Sequence, residues 1–255
     1  MAAFLSQWSA GVSPVLLLLP FLFEVTPLTL GPMSNVSFSA PFLNPFEEIR
    51  RHRHHLPHWE QGEAWQFVTW RLADSIARSK LDQWAAEKAA WLKFHPAPWD
   101  EATERDYHER FSRRIDEWLD AGHGSCVLRE PDCACIVAGA VRHFDGQRYR
   151  LGPFVVMPNH VHVLFQPLAG WLLEGIVHSW KSYTSEELNK RLGRAGALWA
   201  EDYWDRMIRS AEHWRACRRY ILRNPARLPA GTYVLEDREV RLFEEKGSAG
   251  VSPAG

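Results

Sequence analysis

The chain has 255 residues, of which 46% are hydrophobic and 24% charged, and this composition excludes a wholly disordered chain. The net charge of −1 also excludes the overall basicity with which an entire surface would attract nucleic acid. The charge is unevenly distributed, however, because residues 205–227 hold seven arginines and only two acidic residues, Asp205 and Glu212. Local phosphate binding by this segment therefore stays open.

The four cysteines have neither the spacing of a zinc site nor that of a disulfide framework; they are Cys126, Cys133, Cys135 and Cys217. We interpret them as small, mostly buried residues of a cytoplasmic protein. The apolar run at 15–23 is interrupted by Pro20 and is shorter than the roughly 20 residues that a membrane-spanning helix needs. We therefore expect no membrane partner.

Four regions are predicted along the chain. Residues 1–33 are interpreted as a disordered extension or as the result of a start codon assigned too early. Residues 34–63, rich in Pro, His and Arg, are predicted to form an extended basic arm. A structured domain is expected over 64–230, and the Gly- and Pro-containing end of the chain predicts a tail over 231–255.

The domain begins with a predicted strand over 64–72, where apolar and polar residues alternate. A helical insert follows at about 79–122, to which the sequence assigns no function. Apolar spacing, turn residues and helix-ending residues then predict a helix at 132–144, strands at 149–157 and 160–166, a helix at 172–192, a short strand at 204–208 and a helix at 211–223. This order predicts an α+β domain whose antiparallel sheet is covered by helices on one face.

His160 and His162 are the candidate metal ligands. Residues two apart in a strand project to the same face, so both imidazoles point together while Val161 points into the opposite layer. Imidazole is a common ligand of divalent metals, and a pair leaves positions open for a third ligand and for substrate oxygens. A pair of structural histidines, hydrogen-bonded within the fold, is the alternative interpretation.

Tyr220 and Asn224 are the candidate nucleophile and third ligand. They are four residues apart and share one helical face if the last turn persists to Asn224. Neighbouring arginines supply the positive charge that helps a phenol to act as a nucleophile. Tyr183, on the preceding predicted helix near Lys181, is the alternative nucleophile.

These motifs resemble a known family. The segment VVMPNHVHVLF (155–165) is similar to the His-apolar-His signature of single-tyrosine HUH transposases, and Tyr220 to Pro225 (YILRNP) is similar to their tyrosine helix. With Trp180-Lys181-Ser182 and residues 203–209, the pattern resembles the REP-associated tyrosine transposases over about residues 50–230.

The resemblance implies a ferredoxin-like sheet with the HUH motif on a central strand. It also implies that His160, His162 and Asn224 bind Mg²⁺ or Mn²⁺ and that Tyr220 attacks single-stranded DNA near hairpins, leaving a 5′-phosphotyrosine. The family includes both monomers and homodimers. Basic residues expected to contact the DNA are Lys181, Arg206, Arg209, Arg215, Arg219 and Arg223.

Two other functions stay open from the sequence. A catalytically inactive DNA-binding protein derived from a transposase would keep the same motifs without turnover. A histidine-triad nucleotide hydrolase also uses alternating histidines, but it needs a third one where this chain has Leu164.

Overall fold

A computed structural model of the chain describes residues 42–43, 50–53, 57–96 and 99–238. The predicted extension at 1–33 and the end of the predicted tail lie outside these residues. In chain order the strands are β1 (Arg50–Arg53), β2 (Pro57–Glu60), β3 (Gln66–Arg71), β4 (Tyr149–Val156), β5 (His160–Pro167), β6 (Trp204–Met207) and β7 (Val234–Glu236). The helices are α1 (Arg78–Phe94), α2 (Glu101–Tyr107), α3 (Arg113–Asp120), α4 (Pro131–His143), α5 (Leu173–Arg191) and α6 (Ala211–Arg223).

The central sheet has five strands in the order β6-β3-β5-β4-β7, and every neighbouring pair is antiparallel. Helix α4 lies between β3 and β4 in the chain, and α5 lies between β5 and β6. With β7 set aside as an added edge strand, this is the order of a ferredoxin-like sheet. The predicted α+β class is confirmed, and β5, which begins at His160, is the central strand.

Helices cover both faces of the sheet, which corrects the prediction that they lie on one face. Val161, Val163 and Phe165 of β5 pack in an apolar cluster with α4 and α5. Leu164 instead points to the other face, where it packs with Trp214, Cys217 and Ile221 of α6. Because β5 is buried along its whole length, each of its two faces needs a covering layer.

Helix α6 and the turn after it determine where Asn224 lies. The Ser210 hydroxyl accepts a hydrogen bond from the His213 backbone N–H at 3.1 Å, which caps the start of the helix. At the other end Asn224 keeps right-handed helical dihedrals, and a 3₁₀ turn continues to Arg227. Asn224 therefore lies one helical turn beyond Tyr220, as the shared-face prediction requires.

Helices α1, α2 and α3 form most of the insert and have a small core of their own. Its buried side chains are Ile76, Trp84, Trp91, Phe111, Ile115 and Leu119, with Trp204 of β6 packed against them. The insert thus docks on the β6 edge of the sheet. Within the predicted arm, β1 and β2 pair as an antiparallel hairpin. No helix among the described residues is long and apolar enough to cross a membrane.

Candidate functional site

His160 is held in one tautomer by its neighbour in the chain. The Asn159 amide nitrogen donates hydrogen bonds to the backbone carbonyls of Leu119 and His123, each at 3.1 Å. Its amide oxygen must then face the other way, where it lies 2.7 Å from Nδ1 of His160. Because that oxygen only accepts, Nδ1 carries the proton and the lone pair is on Nε2. This Nε2 atom is buried and has no hydrogen-bond partner among the described residues.

His162 lies beside His160 and is held from the neighbouring strand. Thr69 of β3 is its partner in the sheet register, and the Thr69 hydroxyl lies 2.7 Å from Nδ1 of His162. The two imidazole centroids are 4.7 Å apart. Burial lowers the pKa of His160 to about 3 and lowers the pKa of His162 well below its ordinary value. Both rings are therefore neutral at physiological pH, which is the protonation state that binds metals.

Helix α6 brings Tyr220 and Asn224 to this histidine pair. The Tyr220 hydroxyl lies 3.5 Å from Nε2 of His162, with the two ring centroids 5.1 Å apart. The Asn224 amide lies near His160 and raises the pKa of that imidazole against the larger effect of burial. Its oxygen, Oδ1, is buried without a hydrogen-bond partner in the described structure. The four side chains that the sequence singled out therefore meet at one place.

The donor atoms at this place suit a divalent cation. Nε2 of His160 and Oδ1 of Asn224 are both buried acceptors without partners, and leaving such atoms unsatisfied costs on the order of 1–3 kcal/mol each. An amide oxygen and neutral imidazoles are acceptable ligands for Mg²⁺ or Mn²⁺. Across the described residues, no group of three or more His, Cys, Asp and Glu side chains is arranged to hold a metal. A site here would thus depend on the Asn224 amide.

Two carboxylates of α3 face the same side chains, and the sequence analysis missed them. The Tyr220 hydroxyl donates a hydrogen bond to Asp116, whose pKa is raised to about 6, mainly by burial. Asn224 donates through its amide nitrogen to Asp120 at 3.5 Å, the long end of the hydrogen-bond range. Burial and these two carboxylates raise the pKa of Tyr220. The available signal was their spacing, since residues four apart on α3 share one face.

Arg206, which the sequence analysis expected to contact DNA, lies near Tyr220. It is half-buried on β6, and its charge lowers the pKa values of both Asp116 and Tyr220. Arg206 and Asp116 also line a cavity of about 580 Å³ between the insert and the sheet. Of the basic residues predicted to contact DNA, Arg206 is therefore the one whose charge acts on the candidate nucleophile, Tyr220.

The other predicted basic residues divide into two groups. Arg209, Arg215, Arg219 and Arg223 are exposed on α6 or just before it. Lys181 lies on α5, which packs on the opposite face of the sheet, and its amine donates to the Glu201 carbonyl at 2.5 Å. Tyr183, also on α5, is 54% exposed. Neither Lys181 nor Tyr183 is brought to the histidine pair.

Part of the chain that carries this site is similar to a known protein family. Residues 141–224 match the family model described as "Transposase IS200 like". This segment is therefore similar to the IS200-like transposases. The matched segment runs from the end of α4 to Asn224 and contains both histidines and Tyr220, whereas α1, α2 and α3 precede it.

A solved structure described as "Structure of the REP associates tyrosine transposase bound to a REP hairpin" is 13% identical to this chain and has a TM-score of 0.37. The similarity covers 69% of this chain and 74% of that chain. No curated protein matches the sequence significantly.

Proposed function

We propose that this chain is a metal-dependent transposase-type enzyme that nicks and rejoins single-stranded DNA, with hairpin-forming repeats as its substrate. Tyr220 is the nucleophile, and His160, His162 and Asn224 hold Mg²⁺ or Mn²⁺. The observation that carries the proposal is the 3.5 Å separation between the Tyr220 hydroxyl and Nε2 of His162. The family match over residues 141–224 supports DNA transposition as the class of reaction.

The side chains have distinct parts in the proposed reaction. His160, His162 and Asn224 would hold the cation, which would supply charge stabilisation and polarisation of the scissile phosphate. The Tyr220 oxygen attacks phosphorus, forming a tyrosine–phosphorus bond while the bond from phosphorus to the 3′ oxygen breaks. The departing 3′ oxygen takes a proton from solvent. The 5′ phosphate stays on Tyr220 as a diester, so a later 3′-hydroxyl can attack it and rejoin the strands without ATP.

Asp116 is positioned to receive the proton that Tyr220 loses. Its carboxylate already accepts the hydrogen bond from the phenol hydroxyl, so the proton moves along an existing contact. The nearby Arg206 guanidinium offsets the negative charge that two carboxylates and a phosphate would otherwise concentrate there. When Tyr220 leaves during rejoining, Asp116 returns the proton to the phenol oxygen.

The remaining arginines fit the binding of the DNA backbone. Arg215, Arg219 and Arg223 are spaced four residues apart on α6 and are exposed on the helix that carries Tyr220. A row of exposed guanidinium groups follows the phosphates of a strand that passes the nucleophile. Lys181 lies on the opposite face of the sheet and is not assigned this role.

The test is covalent trapping of the protein on DNA. Both strands of the genomic DNA flanking the coding region, as single-stranded oligonucleotides, are incubated with the full chain and Mn²⁺, and the covalent adduct is measured on a denaturing gel. The wild-type chain forms the adduct, and the Tyr220→Phe variant forms none. The matched control is Tyr183→Phe, which removes an exposed phenol from the opposite face and leaves the adduct unchanged.

Each other outcome identifies a different error. An adduct that survives Tyr220→Phe but is lost with Tyr183→Phe reassigns the nucleophile to Tyr183. Oligonucleotide binding by the wild-type chain without any adduct in Mn²⁺ supports the inactive DNA-binding alternative instead.

A further inference from the structure

The end of the insert touches the candidate site at two independent places. Backbone carbonyls of Leu119 and His123 accept the hydrogen bonds from Asn159, the residue that orients His160. The carboxylate of Asp120 accepts the hydrogen bond from Asn224. Residues 119–123 precede the segment that matches the transposase family, so these contacts come from this chain's own insert.

The contact at Asn159 controls which nitrogen of His160 carries a lone pair. Carbonyl oxygens only accept hydrogen bonds, so two of them on one side of the amide force its NH₂ group to that side. Its oxygen then faces His160 and requires a proton on Nδ1. Without the two carbonyls the amide could turn over, and its NH₂ group would favour the tautomer with the lone pair on Nδ1. Nε2 would then carry a proton and could not bind a cation.

The contact at Asp120 controls the Asn224 amide in the same way. A carboxylate accepts hydrogen bonds, so the amide nitrogen of Asn224 turns to Asp120 at 3.5 Å. The amide oxygen is thereby turned into the buried space beside His160, where it has no partner in the described structure. Each contact thus leaves one acceptor atom aimed into the same space.

The end of the insert is held firmly enough to impose these orientations. Gly124 has a φ of +89°, and a Cβ atom there would lie 2.6 Å from the Asp74 carbonyl oxygen, so only glycine fits. The next residue, Ser125, donates its backbone N–H to the Asp74 carboxylate at 2.8 Å. Asp74 follows β3 closely, so the turn after α3 is attached to the central sheet.

We propose that residues 119–124 of the insert are a positioning element that aims Nε2 of His160 and Oδ1 of Asn224 at one divalent cation. Asp120 is its key side chain, and it acts through Asn224 without binding the cation. The proposal rests on the proposed function, because it assumes that His160 and Asn224 are ligands. It assigns the insert a purpose that the transposase family match does not cover.

The first test measures the affinity of the DNA-free chain for Mn²⁺ by electron paramagnetic resonance titration. Asp120→Ala weakens Mn²⁺ binding by about 10- to 100-fold, the usual cost of losing an outer-shell partner. Asp120→Asn keeps an acceptor oxygen for Asn224 and retains affinity within about threefold of wild type. The matched control is Glu117→Ala, an exposed α3 carboxylate paired with Arg113, which binds Mn²⁺ as the wild type does.

The variants separate positioning from other roles of Asp120. Equal losses in Asp120→Ala and Asp120→Asn would mean that the charge itself binds the cation, and the positioning role would be overturned. Wild-type affinity in Asp120→Ala would overturn it as well. A urea unfolding midpoint measured for each variant detects any loss of affinity that only reflects a less stable fold.

The second test needs neither metal nor DNA. Nitrogen chemical shifts of His160 in the metal-free, isotope-labelled chain report which ring nitrogen carries the proton, and we expect Nδ1. A proton on Nε2 would overturn the proposal whether or not the chain forms a DNA adduct. A proton on Nδ1 in a chain that forms no adduct would instead leave the positioning element standing and reject the proposed catalysis.

Discussion

The central strand β5 buries apolar side chains on one face of the sheet and histidines on the other. Towards α4 and α5, β5 buries Val161, Val163 and Phe165 in the larger apolar cluster. Towards α6 it buries His160 and His162. Asn159 and Thr69 hold their Nδ1 atoms, and the phenol of Tyr220 lies 3.5 Å from Nε2 of His162. The apolar face gains its stability from packing, whereas the α6 face must satisfy polar groups one by one.

This difference also separates two tyrosines that look alike in the sequence. Tyr183 and Tyr220 both lie on helices and near basic residues, Lys181 and Arg219, but α5 covers the apolar face and α6 covers the histidine face. The lesson is that the layer a helix belongs to, and not its local composition, determines whether its tyrosine can reach the histidines. Substitutions on the apolar face should therefore change mainly stability, whereas substitutions on the histidine face should change mainly the reaction.

The largest expected effect belongs to the histidine face. His160→Ala removes a proposed ligand and slows adduct formation in Mn²⁺ by at least about 10³-fold, since a metal supplies several kcal/mol of charge stabilisation. Binding of single-stranded DNA, measured by fluorescence anisotropy, stays close to the wild-type value because the exposed arginines are unchanged. An adduct rate within tenfold of wild type would contradict the ligand role of His160.

Much of the fold could be predicted from the sequence because its signals are local. The periodic apolar spacing predicted helices at 172–192 and 211–223, which are α5 and α6. The short strand predicted at 204–208 is β6. Periodicity shows which residues of a helix share a face but not which layer covers them, and for this reason the position of α6 on the second face was missed.

Some residues of the candidate site could likewise be predicted from local motifs, whereas others could not. His160 with His162, and Tyr220 with Asn224, are short-range motifs, and the structure brings them together; their roles stay predictions. Asp116 and Asp120 reach the site across about a hundred residues of sequence, from an insert that had no assigned function. The local pattern of α3 does not indicate which distant helix its acidic face contacts. These contacts could therefore be recognised only in the tertiary structure.

On the apolar face the expected effect is on stability. Trp180 is fully buried, stacks on Trp70 and donates its indole N–H to the Tyr149 hydroxyl at 3.0 Å. Trp180→Ala lowers the free energy of unfolding by about 3–5 kcal/mol, as measured by urea denaturation. The matched control is Trp171→Ala, which truncates a 40% exposed indole and costs much less. Equal losses for the two variants would mean that the apolar face is not the main source of stability.

Asp116 tests the chemistry of the α6 face at its border with the insert. Asp116→Asn still accepts a hydrogen bond from Tyr220 but is a far weaker proton acceptor. We expect adduct formation to slow by about 10²-fold, the lower range for the loss of a general base. Single-turnover rates of adduct formation measure the effect, with Glu117→Gln on the same helix as the control. An unchanged rate would show that the Tyr220 proton leaves by another route.

The same variant has a pH-dependent effect on stability. The pKa of Asp116 is about 6 in the folded chain, above the roughly 3.9 of an unfolded aspartate, so folding favours the protonated carboxyl. That contribution is complete below the unfolded pKa and is lost as the pH rises through 6. Asp116→Asn therefore raises the free energy of unfolding by about 1–3 kcal/mol at pH 8 and changes it little near pH 4.

Urea denaturation at the two pH values measures this difference. Asp82→Asn on α1 is the control, since Asp82 is exposed and pairs with Arg78 one turn away. It should change stability by only a few tenths of a kcal/mol at either pH. An equal gain for Asp116→Asn at both pH values would rule out titration of the carboxyl as the cause.

The smallest expected effect is a difference in DNA binding between substitutions of two neighbouring arginines on α6. Arg219 is exposed, whereas Arg218 is bound to the Asp237 carboxylate at 2.7 and 2.5 Å. If Arg219 contacts a DNA phosphate, Arg219→Ala lowers the salt dependence of single-stranded DNA binding by about 0.7 in log–log slope. Arg218→Ala leaves the slope unchanged because its charge is already neutralised by Asp237. A larger change of slope for Arg218 than for Arg219 would put the DNA on the other side of α6, away from the path that leads a phosphate past Tyr220.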